Sequence, residues 1–143
     1  MNRLIEGYLR TRGVRYFRGH HDDEYFYLVD FAFGAHRGRL NVHLEVTGAE
    51  RDGVLISISP DRYYPVSLRG HLDDLIVRWN LGASHLQAML HESCDPHLVG
   101  VLVQGRHRPA DAAALADYVD AAVGSCIELF GAMPDVTVLR DAG

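Results

Sequence analysis

Histidine is the residue type that could supply most chemistry in this sequence, because the chain contains nine histidines. Residues 20–24 read HHDDE, a run of five side chains that could each ligate a metal ion. Adjacent side chains of an extended segment point to opposite sides, so His20 and His21 would seldom share one ion. We therefore interpret this run as a solvated turn and predict no metal site there.

Three further histidines follow at intervals of six residues: His85, His91 and His97. This spacing matches neither a helical pair of ligands nor a short zinc knuckle, so we interpret them as exposed strand and loop residues. Cys94 lies between the last two, and a thiol nucleophile assisted by histidine is conceivable. No activation motif flanks Cys94, and the chain has no nucleophile elbow, dinucleotide fingerprint or phosphate loop. We predict no catalytic residue, no cofactor and no enzyme activity.

Arginine supplies all fourteen basic side chains, and the chain has no lysine. The formal net charge of −5 argues against a nucleic-acid-binding protein, which is usually basic overall or along one face. Most arginines are scattered, and we attribute their use to a GC-rich genome. Arg106 and Arg108 precede a predicted helix, whose N-terminus favours negative charge, and form a candidate anion-binding site.

The length of 143 residues and the apolar share of 48% indicate one folded domain. No apolar run approaches the roughly 20 residues that cross a bilayer, so we expect no contact with a membrane. Charge appears too early at the N-terminus for a signal peptide. The two cysteines form no CxxC pair and are expected to be reduced thiols, so we predict a cytoplasmic protein.

The elements that must position these residues follow from periodicity. A helix is predicted over residues 2–12, then a short candidate strand at 14–18 and strands at 25–31, 39–47 and 54–58. Residues 39–47 alternate strictly between apolar and polar, which indicates a strand with one wet face. A second helix with an apolar stripe is predicted after Pro65, and this helix ends at Gly82. Strands at 86–91 and 98–104 and a last helix over 109–133 follow.

This order is α-β-β-β-α-β-β-α, and it predicts a single α+β domain with an antiparallel sheet whose helices pack mainly on one face. We expect the domain to span residues 1–134, with a C-terminal tail at 135–143. If Tyr25 and Tyr27 meet the helices, then alternation places a set of apolar side chains on the open face. That set is a candidate partner-binding patch, because exposed apolar patches mark interfaces: Phe26, Leu28, Leu55 and Met89.

Residues 75–80 (LIVRWN) resemble the YbjN-like family, bacterial proteins that are also labelled sensory transduction regulators. The family branch carries Arg-Trp-Asn at the end of its middle helix, then two short strands and a final helix. Here residues 86–90, 98–103 and 111–130 look like those elements, so the resemblance covers nearly the whole chain. The chain departs from the pattern at residues 81–85 (LGASH), where the family has a charged segment that contains proline.

The resemblance implies a fold like that of type III secretion chaperones, which often dimerise and hold partner polypeptides, and it implies no catalytic residue. From the helical pattern we predict that Trp79 and Cys126 are core residues, and that Asn80 makes hydrogen bonds at a helix end. The leading hypothesis is a non-enzymatic, homodimeric protein-binding module. The alternatives are a small-ligand or metal sensor that uses the histidines or Arg106 and Arg108, and an enzyme that uses Cys94.

Overall fold

The computed structural model describes residues 1–33, 36–82 and 85–134, and the predicted tail at 135–143 lies outside this range. Most of the described chain belongs to one sheet and three helices. The helices are α1 (Asn2–Thr11), α2 (Arg69–Gly82) and α3 (Ala112–Gly131). The strands are β1 (Tyr16–Arg18), β2 (Glu24–Phe33), β3 (His36–Thr47), β4 (Gly53–Pro60), β5 (Tyr64–Pro65), β6 (Gln87–Glu92) and β7 (Leu98–His107).

All strand pairs in the sheet are antiparallel. The first four strands follow one another across the sheet in chain order. β7 pairs with β4 on one side and with β6 on the other, while the two-residue β5 pairs with the start of β7 on the edge opposite β6. The second half of the chain therefore extends the same sheet.

The alternation predicted for the third strand divides the sheet into a covered and an open face. Leu40, Val42 and Leu44 of β3 are fully or almost fully buried, while Asn41 between them is exposed. Burying one such aliphatic side chain stabilises the fold by about 1.5–3 kcal/mol. The covered face is completed by buried side chains from four other strands: Tyr25, Tyr27, Val54, Ile56, Ile58, Ala88, Val99, Val101 and Val103.

The longest helix, α3, packs across β2 and β4 on the covered face and contacts α1. Its N-terminus is capped by the Asp111 carboxylate, which accepts a hydrogen bond from the Ala114 amide at 2.8 Å. α1 ends at Thr11, one residue before the predicted end, and Gly13 follows it with a φ of +66°, which suits the left-handed position after a helix. α2 contacts β6 and adds Leu72 and Ile76 to the same core.

The predicted α+β class, the antiparallel sheet and the order of the main elements are confirmed. β5 is an additional strand, too short to show a period of two. α3 begins at Ala112 rather than at Pro109, because Asp111 is extended and caps the helix. None of the helices in the described ranges is both long enough and apolar enough to cross a membrane.

Candidate functional site on the open sheet face

The open face of the sheet carries polar and apolar side chains in rows that run across the strands. One row joins Glu24, Glu45, Leu55 and Arg106, which lie opposite one another on β2, β3, β4 and β7. Helices α1 and α3 lie on the other face, which leaves these rows open to solvent and to binding. The next row consists of Phe17, Phe26, His43, Ser57, Gln104 and Gln87.

The four side chains predicted to bind a partner lie on this open face but not in one patch. Phe26 and Leu28 are exposed on β2, while Leu55 on β4 and Met89 on β6 are half-buried. The polar side chains of β3 lie between the first pair and Leu55. Leu55 is followed in its row by Arg106 of β7, and Met89 lies opposite Leu102. The sheet therefore separates the set into Phe26 and Leu28 on β2, Leu55 on β4, and Met89 beside Leu102 at the β6–β7 pair.

The apolar cluster gains a residue that the sequence analysis did not single out. Phe17 of β1 lies directly opposite Phe26, and 62% of its side chain is exposed. Phe26 is 40% and Leu28 is 48% exposed. We call Phe17, Phe26 and Leu28 the β1–β2 cluster. The sequence predicted a short strand at residues 14–18, but only the register of this strand against β2 places Phe17 opposite Phe26.

A group of polar side chains borders this cluster on β2 and β3. The ring of His43 stacks on Phe26 with centroids 4.4 Å apart and planes inclined by 12°. Its Nε2 atom lies 3.7 Å from Oε1 of Glu24, and Glu45 lies opposite Glu24. Further along the same face, Gln104 donates a hydrogen bond to Ser57 at 3.1 Å. The polar alternation of β3 is visible in the sequence, but no motif there marks His43 or Glu45 as functional residues.

The two arginines of the predicted anion site are both exposed near the end of β7. Arg108 Nε lies 3.6 Å from Oδ2 of Asp52, so this guanidinium already faces a carboxylate. The predicted anion site also includes the N-terminus of α3. There the carboxylate of Asp111 already accepts a backbone hydrogen bond. Both contacts weaken the physical case for an anion here, and the role of Arg106 and Arg108 stays a prediction.

The first histidine run forms the turn between β1 and β2, where it was expected. His20 and His21 are exposed, and Asp23 forms a two-pronged ion pair with Arg51. The hydrogen bonds from Arg51 lower the pKa of the Asp23 carboxyl. The Asp23 carboxylate therefore serves as a structural partner of Arg51. Glu24 at the end of the run belongs to β2 and points to the open face.

A second polar feature of the open face is a cleft of about 310 Å³ beside His91. Asn41, Ser59 and Tyr63 line it together with the Asp61–Arg62 ion pair, whose closest atoms are 3.6 Å apart. Gly100 lies beneath the imidazole of His91, and a Cβ atom there would overlap the ring. His85 and His97 are exposed outside this cleft.

The two cysteines occupy contrasting environments. Cys94 is exposed in the loop between β6 and β7. Cys126 is fully buried on α3, as predicted, and burial raises the pKa of its thiol to about 12. A thiol with so high a pKa stays protonated near neutral pH, so Cys126 is a packing residue.

The Arg-Trp-Asn triplet joins α2 to the outer strand of the sheet. Trp79 is half-buried against the core. The Asn80 side chain accepts a hydrogen bond from the Ala88 amide at 2.8 Å and donates one to the Ala88 carbonyl at 3.1 Å. The predicted hydrogen-bonding role of Asn80 is therefore confirmed, and its partner is the backbone of β6.

Comparison with known proteins adds a structural relative. No family model matches the sequence, and no curated protein matches it. The fold is similar to that of the solved structure "YbjN, a putative transcription regulator from E. coli", with a TM-score of 0.61. The similarity covers 87% of this chain and 84% of that chain at 13% sequence identity. The chain thus has a YbjN-like fold, in agreement with the resemblance noted from residues 75–80.

Proposed function

We propose that this chain is a non-enzymatic regulatory or chaperone-like module of the bacterial cytoplasm, that it binds protein through the open sheet face, and that it acts as a homodimer. The observation that carries the proposal is the β1–β2 cluster of Phe17, Phe26 and Leu28, which is exposed on the open face. The regulatory part of the proposal follows the description of YbjN, whose fold is similar.

The chemistry of the cluster favours a protein partner. Fully burying an exposed phenylalanine or leucine side chain is worth about 1.5–3 kcal/mol, and the 40–62% exposed residues of the cluster would gain part of this on being covered. Aromatic side chains are also frequent energetic centres of interfaces. Glu24 and His43 border the cluster, and a polar border around an apolar centre is the usual composition of a protein interface.

A second copy of this chain is the partner that the strand arrangement favours. β1 pairs only with residues 25–27 of β2. Residues 28–33 continue beyond it, and among the described residues they have a strand partner only on the β3 side. Such an edge can pair with a strand from another molecule, and antiparallel pairing of residues 28–33 with the same residues of a second copy would place one β1–β2 cluster at each end of the shared strand pair.

The test is a pull-down from the native host with the full chain as bait. We expect that Phe26→Asp combined with Leu28→Asp removes the proteins that the wild type captures, because two carboxylates would have to be desolvated at the contact. Val77→Asp is the matched control, since Val77 is 60% exposed on α2, away from the open face. An unchanged set of captured proteins with the double variant would show that the cluster is not the binding surface.

The second candidate function is a small-ligand sensor, and the cleft beside His91 favours it. Its volume suits a small molecule, and it combines a histidine, an ion pair and amide and hydroxyl groups. Thermal unfolding with nucleotides and other small anions tests this function, with His91→Ala and a variant lacking both Arg106 and Arg108 for comparison. Absence of any shift in the wild type would exclude these ligands.

A further inference from the structure

Three side chains that commonly ligate transition metals meet on the open face of β2 and β3. Glu24 and Glu45 lie directly opposite each other, and His43 is two residues before Glu45 on the same strand and face. One ligand atom from each residue lies within 4.8 Å of the other two. We call Glu24, His43 and Glu45 the β2–β3 triad.

The charges of the triad favour a bound cation. Two carboxylates directly opposite each other destabilise a sheet, and more so where water is partly excluded. The Glu24 side chain is only 19% exposed. Within the described ranges, the salt bridges of the protein bring no arginine to Glu24 or Glu45, and His43 is the only basic partner.

The position of the imidazole fits a metal better than a hydrogen bond. Nε2 of His43 is buried without a hydrogen-bond partner, and it lies 3.7 Å from Oε1 of Glu24. That separation is too long for a hydrogen bond. Zinc bonds to nitrogen and oxygen are about 2.0–2.2 Å, so two donors on one tetrahedral ion stand roughly 3.3–3.6 Å apart. The observed 3.7 Å is close to this separation, and a small side-chain adjustment would let both atoms bind one ion.

The surrounding structure holds the three donors in place. Tyr25 and Leu44 are fully buried on the covered face and fix the register of β2 against β3. The Phe26 ring holds the imidazole plane by stacking. A Cβ atom at Gly19 would overlap the Glu24 carboxylate, so glycine at this position leaves room for the observed side chain.

We infer that the β2–β3 triad binds one divalent transition-metal ion of the zinc class, with a coordination position open to solvent. One imidazole and two carboxylates suit zinc or cobalt, whereas calcium and magnesium require a larger set of oxygen ligands. The site shares Glu24 with the run at residues 20–24. It uses none of the histidines that were first considered in the sequence. It does not depend on the proposed protein-binding function.

The test is titration calorimetry of the full chain, purified without a histidine tag and treated with a chelator, using Zn²⁺ alone as the ligand. We expect one ion per chain. His43→Gln and Glu45→Gln should each weaken binding roughly tenfold or more, since the loss of even an outer partner costs 10–100-fold. His91→Gln is the matched control on the same face and should bind zinc as the wild type does. Cobalt absorption provides a second readout of the imidazole and carboxylate ligands.

A further measurement distinguishes a metal site from a simple ion pair between His43 and Glu24. Without metal, Glu45→Gln should raise the thermal midpoint, because it removes the repulsion between two carboxylates. Zinc should then raise the midpoint of the wild type more than that of Glu45→Gln. Absence of zinc binding, or binding that His43→Gln and Glu45→Gln leave unchanged while both variants remain folded, would overturn the inference.

Discussion

Tyr8 is the residue that ties the first helix to the last. Its hydroxyl donates a hydrogen bond to Oδ1 of Asp120 at 2.6 Å, and Arg12 Nε donates to the same oxygen at 3.2 Å. Burial and the Asp120 carboxylate raise the pKa of Tyr8 to about 12. The hydroxyl therefore remains a proton donor over the whole physiological range and holds α1 against α3.

We expect Tyr8→Phe to lower the free energy of unfolding by about 0.5–1.5 kcal/mol, because it removes this hydrogen bond and leaves the ring in place. Urea unfolding at neutral pH measures the change. Tyr16→Phe is the matched control, since Tyr16 is half-buried and makes a tilted ring contact with Tyr25 that phenylalanine can keep. Equal effects of the two variants would contradict a special role for the Tyr8 hydroxyl.

Acid should weaken the same contact. The hydrogen bonds from Arg12 lower the pKa of Asp120 below its ordinary value of 3.8. A lowered pKa in the folded state means that the ionised carboxylate stabilises the protein above about pH 3.8, and that this contribution is lost as the pH falls through the folded-state pKa. The difference in stability between the wild type and Asp120→Asn should therefore shrink on acidification. A difference that stays constant between pH 6 and pH 3 would contradict this assignment.

The sequence predicted the structural roles of some residues but not of others. Cys126 and Asn80 were assigned correctly, because helical spacing alone shows which residues face the core and which end the helix. His43 was missed because its neighbours Phe26 and Glu24 lie on another strand. Only the register of β2 against β3 brings them together, and an isolated strand pattern does not contain that register.

At the scale of elements, α2 and Asn80 protect the outer edge of the sheet. Within the described part of the chain, β6 pairs only with β7. The amide and carbonyl of Ala88 are directed to the other side, where the Asn80 side chain satisfies both. An unprotected edge of this kind can pair with other chains, so we expect the Asn80 contact to limit aggregation as well as to position α2.

We expect Asn80→Ala to lower the free energy of unfolding by about 1–3 kcal/mol, since it leaves two half-buried backbone groups without partners. Denaturant unfolding and light scattering on heating measure the loss of stability and the expected increase in aggregation. Leu81→Ala, one residue further along in an exposed position, should change stability by less than about 0.5 kcal/mol. An Asn80→Ala protein as stable as this control would contradict the role of the edge contact.

Much of the element order was predictable, because period-two alternation and helical stripes are local signals. The place of β7 was not predictable from such signals. β7 inserts between β4 and β6, and this long-range pairing is what extends the first four strands into one sheet. The same pairing places Arg106 and Gln104 of β7 near Leu55 and Met89, which alternation alone does not predict. The partner-binding role of the four residues stays a prediction.

At the scale of the whole molecule, the two proposed sites meet at the stacked rings of Phe26 and His43. Phe26 belongs to the β1–β2 cluster, and His43 belongs to the β2–β3 triad. A metal ion on His43 would fix the ring on which Phe26 rests. The cluster and the triad are nevertheless separable, because Leu28 takes no part in metal binding and Glu45 does not belong to the apolar cluster.

The most direct test of the proposed function is the mass of the full chain in solution by light scattering at low micromolar concentration. We predict twice the 16.0 kDa of one chain for the wild type and for the control Val77→Asp, and the mass of one chain for Phe26→Asp. A wild-type mass of one chain would contradict the homodimer. A dimeric Phe26→Asp protein would show that the β1–β2 cluster is not the surface that joins the two copies.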